Sequence, residues 1–141
     1  MSKFKAFMRQ NAIAVENEKY VASKRFSDEN GKPMEWEIKA ITSKENEALR
    51  KAATKRVPTG KRGQQMPEPD MDVYFAKLCV TCTVFPDLND KELQDSYGVM
   101  SGEDLIRTML TAGEYEDYKA KVADVNGFDV GMDEKVEEAK N

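Results

Sequence analysis

The sequence predicts a mostly α protein of the α+β type, an N-terminal β-hairpin followed by a bundle of about five short helices. Three observations carry that expectation. A chain of 141 residues suits one core, since single cores usually span about 100 to 200 residues. Trp36, Ile38 and Ala40 alternate with Glu35, Glu37 and Lys39, the two-residue period of a half-buried strand. From Thr42 onward, capping residues and turn glycines bracket successive runs of good helix formers, the punctuation of short helices.

Taken in order, residues 1–19 place Phe4, Phe7, Met8, Ile13 and Val15 at near-helical spacing. They are expected to be a flexible N-terminal segment, a short helix or a peptide that orders on contact. YVASKRF and MEWEIKAI flank SDENGKP, so Asn30 and Gly31 predict the turn of a two-stranded hairpin. An isolated hairpin is marginal in water, so its Trp36 face must pack on helices or pair with another chain. Its edge is a candidate for assembly. Thr42 and Ser43 followed by Glu45 predict a capping box, and ENEALRKAATKR continues a helix over about 43–56. VPTGKRGQQMPEPD then gathers three of the five prolines and two glycines into fourteen residues, which predicts a mobile linker near 57–69 without regular structure.

Asp70 caps a helix in which Tyr74, Leu78, Cys82 and Phe85 recur at three- and four-residue steps until Pro86. Its Val and Thr content leaves a strand open there. Asn89 or Asp90 caps KELQDSY with Gly98 as the stop, and Ser101 with Asp104 opens GEDLIRTMLTA with Gly113 as the stop, following the usual cap chemistry. EYEDYKAKVADVN sets Tyr115, Tyr118, Val122 and Val125 on one stripe before Gly127, with Phe128 placed for a C-cap contact. Residues 20–130 therefore read as one domain, and 131–141 as an acidic C-terminal tail.

Composition excludes more chemistry than it suggests. The chain has no histidine, which removes Ser-His-Asp triads, Cys-His dyads, imidazole metal ligands and imidazole proton shuttles together. No apolar run reaches the roughly 20 residues of a membrane span, and neither a span nor a secretion signal is expected. Cys79 and Cys82 are the only cysteines; two thiols without imidazole fall short of the four ligands of structural zinc, so they read as reduced, buried small hydrophobes. Net charge is −4, yet residues 1–62 hold 15 Lys and Arg against 8 Asp and Glu, while residues 63–141 hold 7 against 18. Such asymmetry marks an electrostatic partner surface or lets one half dock on the other.

Arg50, Lys51, Lys55, Arg56, Lys61 and Arg62 concentrate the positive charge. A nucleic-acid reader would need such a patch, but no aromatics interleave with it, and a solvated helix end or a surface facing an acidic protein is the better reading. Glu114, Glu116 and Asp117, like Glu92 and Asp95, coat water-facing helix sides rather than converge as acid/base pairs. TGKRG lacks the order and preceding strand of a phosphate loop. No nucleophile, base or metal set assembles, so an enzyme is not expected.

The run VFPDLNDKELQDSYGVMSGEDLIRTMLTAGEYEDYKAKVADVNGFD resembles the XkdN-like tail assembly chaperones of Bacillus phages and defective prophages. Pro86, the Leu93, Gln94, Asp95, Tyr97, Gly98 block, Leu105 with Met109 and Leu110, Gly113-Glu114-Tyr115 and Asn126-Gly127-Phe128 carry it. The resemblance implies a non-enzymatic protein of the host-cell cytoplasm, absent from the mature virion. Such a protein would bind and solubilise the tape measure protein, help recruit tail tube subunits, and need no cofactor. It also raises a longer frameshifted product, for which the terminal Ala139-Lys140-Asn141 could encode a slippery heptamer. Expected contacts are the hairpin edge around Trp36 and Ile38, the basic residues Arg50, Lys51, Lys55, Arg56, Lys61 and Arg62, and any apolar groove between the C-terminal helices. Self-association through the hairpin edge is a further expectation, and neither nucleic acid nor membrane is an expected partner. The alternatives are a structural tail or baseplate component of the virion and, less favoured, a nucleic-acid-binding regulator.

Overall fold

The computed structural model describes residues 3–128; the acidic tail at 131–141 and the Ala139-Lys140-Asn141 end lie outside them. After a 3-10 turn at Lys5–Phe7, the elements are β1 (Glu18–Tyr20), β2 (Trp36–Ile38), α1 (Ser43–Ala52), β3 (Thr54–Pro58) and β4 (Gln65–Pro69). They continue with α2 (Met71–Cys82), β5 (Thr83–Phe85), α3 (Lys91–Ser96), α4 (Gly102–Met109) and α5 (Ala112–Val125). The expectation of a mostly α protein is corrected: 42% helix stands against 17% strand, in two separate antiparallel sheets, an α+β fold in which helix does not dominate. The helices are short and stop where extended segments begin. Thr54 follows α1 after a single cap residue, and Thr83 continues from α2 with no loop at all.

The first sheet has the order β1-β2-β5. Tyr20 faces Trp36 and Glu18 faces Ile38, while Ile38 also faces Thr83. The Asn30-Gly31 turn exists, closed by Asp28, whose Oδ1 accepts from the Asn30 and Lys32 N–H groups at 2.8 and 2.9 Å. It joins only the Ser27–Pro33 bridge, however, and the first strand is Glu18–Tyr20 rather than YVASKRF. The physical reason is burial: Ala22 and Ser23, neighbours in sequence, are both buried, which a strand's alternating faces cannot deliver. The strand partner sequence reading left open is β5. Its pairing with β2 carries one extra residue, Val84, between Thr83 and Phe85, and the Lys39 N–H donates to the Cys82 carbonyl at 2.8 Å.

That third strand makes β2 central. Trp36 lies 5.1 Å from Tyr118 in an edge-on arrangement, with Tyr20 and Phe26 completing an aromatic cluster. Apolar residues on the sheet thus meet α5, and α2 is the hub against which α1, α4 and α5 pack. Leu78, Cys79 and Cys82 of α2 join Leu105, Ile106 and Val122 in one core. Asp70, Asp90, Ser101 and Thr111 cap α2 to α5 through side-chain oxygens, and Thr42 and Thr111 each complete a capping box with a glutamate three residues on. Gly113 does not stop α4. Leu110 ends that helix, and Gly113 sits in the first turn of α5.

Candidate functional site

Four of the six basic residues, Lys55, Arg56, Lys61 and Arg62, lie on an element that sequence reasoning missed, while Arg50 and Lys51 lie on α1. Residues 54–69 form the β3–β4 hairpin, so the proline count did not preclude regular structure there. Pro58, Pro67 and Pro69 lie in a two-stranded ribbon, where every strand is an edge and a missing N–H can face water. Gly60 and Gly63 occupy left-handed backbone, with φ +86° and +79°, and let the loop reverse. At the base the Asp70 N–H donates to the Ala53 carbonyl at 2.9 Å. Ala53 is buried, anchoring the ribbon to the α1–α2 layer, while no side chain of β3 or β4 is buried.

The register sorts the charges onto faces. Lys55 opposes Glu68 and Val57 opposes Met66 on one face, while Arg56 opposes Pro67 on the other, as the two-residue side-chain period requires. Lys55 is compensated: its Nζ lies 3.5 Å from Asp70 Oδ2. The Asp70 carboxyl is held below its usual range, chiefly by the Val73 N–H it caps and further by Lys55. Arg50 lies over the Tyr74 ring at 5.8 Å, and Tyr74 hydrogen-bonds Asn46. Burial pushes the Tyr74 hydroxyl up. Lys51, Arg56, Lys61 and Arg62 are exposed, with no carboxylate within ion-pair distance among the described residues. Lys61 and Arg62 line an open concavity inside the hairpin loop.

Trp36 and Ile38 are placed differently. They are 1% and 0% exposed in the central strand, where their side chains build the core. The open edges of this sheet are β1 and β5. Cys79 and Cys82 are buried and free; burial pushes the Cys79 thiol up to about 12 and raises Cys82, so neither is a ready thiolate. Among the described residues no cluster of three or more carboxylates and thiols forms a metal-sized site, and no helix is long and apolar enough to cross a membrane.

This arrangement of a three-stranded sheet, five helices and a projecting ribbon has relatives. The family of phage XkdN-like tail assembly chaperone proteins matches residues 4–140. The chain belongs to that family. It is 29% identical over 136 residues to the phage-like element PBSX protein XkdN of Bacillus subtilis strain 168, covering 96% of this chain and 91% of that one. It is 32% identical over the same length and coverage to the uncharacterized protein YqbN of the same strain. The crystal structure of YqbN superposes with a TM-score of 0.77 at 28% identity, covering 92% of this chain and 99% of that chain. Leu105, Met109 and Leu110 are buried here in one core with Tyr118 and Val122. Asn126 serves as the C-cap of α5.

Proposed function

We propose that this tail assembly chaperone binds the tape measure protein in the host cytoplasm, keeps it soluble until tube subunits polymerise around it, and does not remain in the mature virion. Membership of the family over nearly the whole chain carries the reading. A tape measure helix exposes apolar faces that aggregate, and a small partner with a charged exterior masks them reversibly. The contact surface within this reading is the β3–β4 ribbon. It stands off the core, and the cations Arg56, Lys61 and Arg62 are arranged to steer an acidic segment of a polypeptide partner. Recruitment of tube subunits belongs to the same proposal.

Co-expression with the tape measure protein of the same phage element tests it. The soluble fraction of tape measure protein should rise severalfold with the wild-type chaperone, and R56E/K61E/R62E should lose most of that gain while remaining folded by circular dichroism. Unchanged tape measure solubility would remove the reading. Stoichiometric recovery of the chain from purified particles would favour a structural tail component instead.

A further inference from the structure

Among the described residues two apolar surfaces lie uncovered and complement each other. The first is a cleft between the sheet and α3. Phe26, Met34, Phe85, Pro86, Leu93 and Tyr97 wall it, above the Trp36 ring, around a volume of about 200 Å³. That is smaller than the roughly 300 to 1,000 Å³ of small-molecule sites, and its lining offers scarcely a polar group, so it suits an apolar side chain rather than a metabolite. Phe85 and Tyr97 remain partly exposed at its mouth, and β5 beside it is an open sheet edge.

The second is the N-terminal arm. Phe7 is 80% exposed, Ile13 97% and Val15 71%, a density of unburied apolar side chains that isolated surface residues do not explain. The arm also carries Lys3, Lys5 and Arg9 with no carboxylate before Glu16. The α3 side of the cleft has the opposite sign: Asp87, Asp90, Glu92 and Asp95 lie on α3 and the loop before it, against Lys91, while on the other side Arg25 lies over the Phe26 ring at 5.1 Å. The arm enters the fold at β1, whereas the cleft borders β5 at the opposite edge of the sheet. With Phe7 in solvent, the arm does not fill the cleft of its own chain.

We propose that the N-terminal arm of one copy docks into the β5–α3 cleft of a second copy, seating Phe7 among the apolar walls and its cations against the acidic face of α3. Each copy then presents one arm and one cleft, a heterologous contact. Ordering an exposed arm costs conformational entropy; burial of its aromatic and aliphatic side chains offsets that cost, and charge complementarity sets the register.

Sedimentation velocity over a concentration series, on the full chain and two variants, tests this. The wild type should self-associate, more weakly at high salt because the paired charges are screened. F7S removes the anchor and F85D places a carboxylate at the mouth; each should weaken association at least about tenfold, the affinity worth of one buried aromatic side chain. Phe7 is largely in solvent and Phe85 about half exposed, and circular dichroism checks that both variants fold. Mixing the variants should restore a 1:1 complex, because F7S keeps an intact cleft and F85D an intact arm. A wild type that stays monomeric throughout would overturn the proposal, as would association that persists in F7S or a mixture with no heterodimer. A crosslink from residue 7 to the cleft within a monomer would also overturn it, assigning the cleft to the chain's own arm. None of these outcomes depends on the tape measure protein, so the proposal and the functional reading above fail separately.

Discussion

Asn126 ties three parts of the chain together with one carboxamide. Its Oδ1 accepts from the Ile41 N–H at 2.9 Å, and its Nδ2 donates to the Val122 carbonyl at 2.8 Å and lies 3.5 Å from Cys82 Sγ. Asn126→Ala leaves the Ile41 N–H without its partner and should cost about 1 to 3 kcal/mol in urea denaturation. Thr83 makes a comparable junction. Its hydroxyl donates to the Cys79 carbonyl, which can only accept, so at 2.6 Å the Tyr118 hydroxyl is the donor to Thr83 Oγ1. Glu114 titrates in a way that stability should register. The Thr111 N–H chiefly, with Ser23 and Arg25 assisting, lowers its carboxyl from 4.5 to about 2. A folded-state value below the unfolded one means stabilisation that is complete above about pH 4.5 and lost as pH falls toward 2. The urea midpoint should therefore drop over that interval, and less steeply in Glu114→Gln. The capping role of Thr42 with Glu45 was legible in sequence, because a cap is satisfied within three residues. Asn126's role was not, because its partner Ile41 lies 85 positions away.

Two glycines one element apart should respond to alanine with opposite signs. At the start of α4, a Cβ on Gly102 would lie 2.9 Å from Val80 Cγ1 and 3.2 Å from both Asn89 Oδ1 and the Leu88 carbonyl. Gly102→Ala should therefore destabilise by about 1 to 3 kcal/mol through overpacking where α4 meets α2. Gly113 has open space around the same position in the first turn of α5, and Gly113→Ala should stabilise by about 0.5 to 1 kcal/mol. Thermal melts of the two variants check both signs. The starts of α1 to α4 could be read from caps, and Gly98 and Gly127 marked the ends of α3 and α5, but the Thr111 start of α5 and the other ends could not. Extended pairing decided two of those ends: Arg56 belongs to β3 opposite Pro67, and Thr83 to β5 opposite Ile38, although both follow good helical spacing. Phe85, read as the last turn of a helix, is instead a cleft wall.

At the scale of the whole molecule, the aromatic cluster, the α2 hub and the anchored ribbon are energetically unequal. The core gathers Trp36, Tyr118, Ile38, Leu78 and Leu105 with almost no exposure, whereas the ribbon beyond Ala53 and Asp70 buries none of its strand side chains. Replacing residues 56–67 with a short Gly/Ser turn should therefore shift Tm by no more than about 3 °C, the scale of neutral surface changes, while removing the cations proposed to meet a partner. Amide exchange should be faster in the ribbon than in α2, since local openings there expose little apolar surface.

The sequence by itself determined the family, the starts of α1 to α4, the buried thiols, the concentration of cations between Arg50 and Arg62, and the absence of imidazole chemistry. Each of these is written locally, in caps, spacing or composition. Only the tertiary structure decided that Trp36 lies in a central strand, that the proline-rich stretch folds into a ribbon presenting Arg56, Lys61 and Arg62, and that an apolar cleft is left among the described residues beside β5. Strand neighbours are chosen by pairing across long separations, and whether an apolar residue is covered depends on what the rest of the chain brings to it.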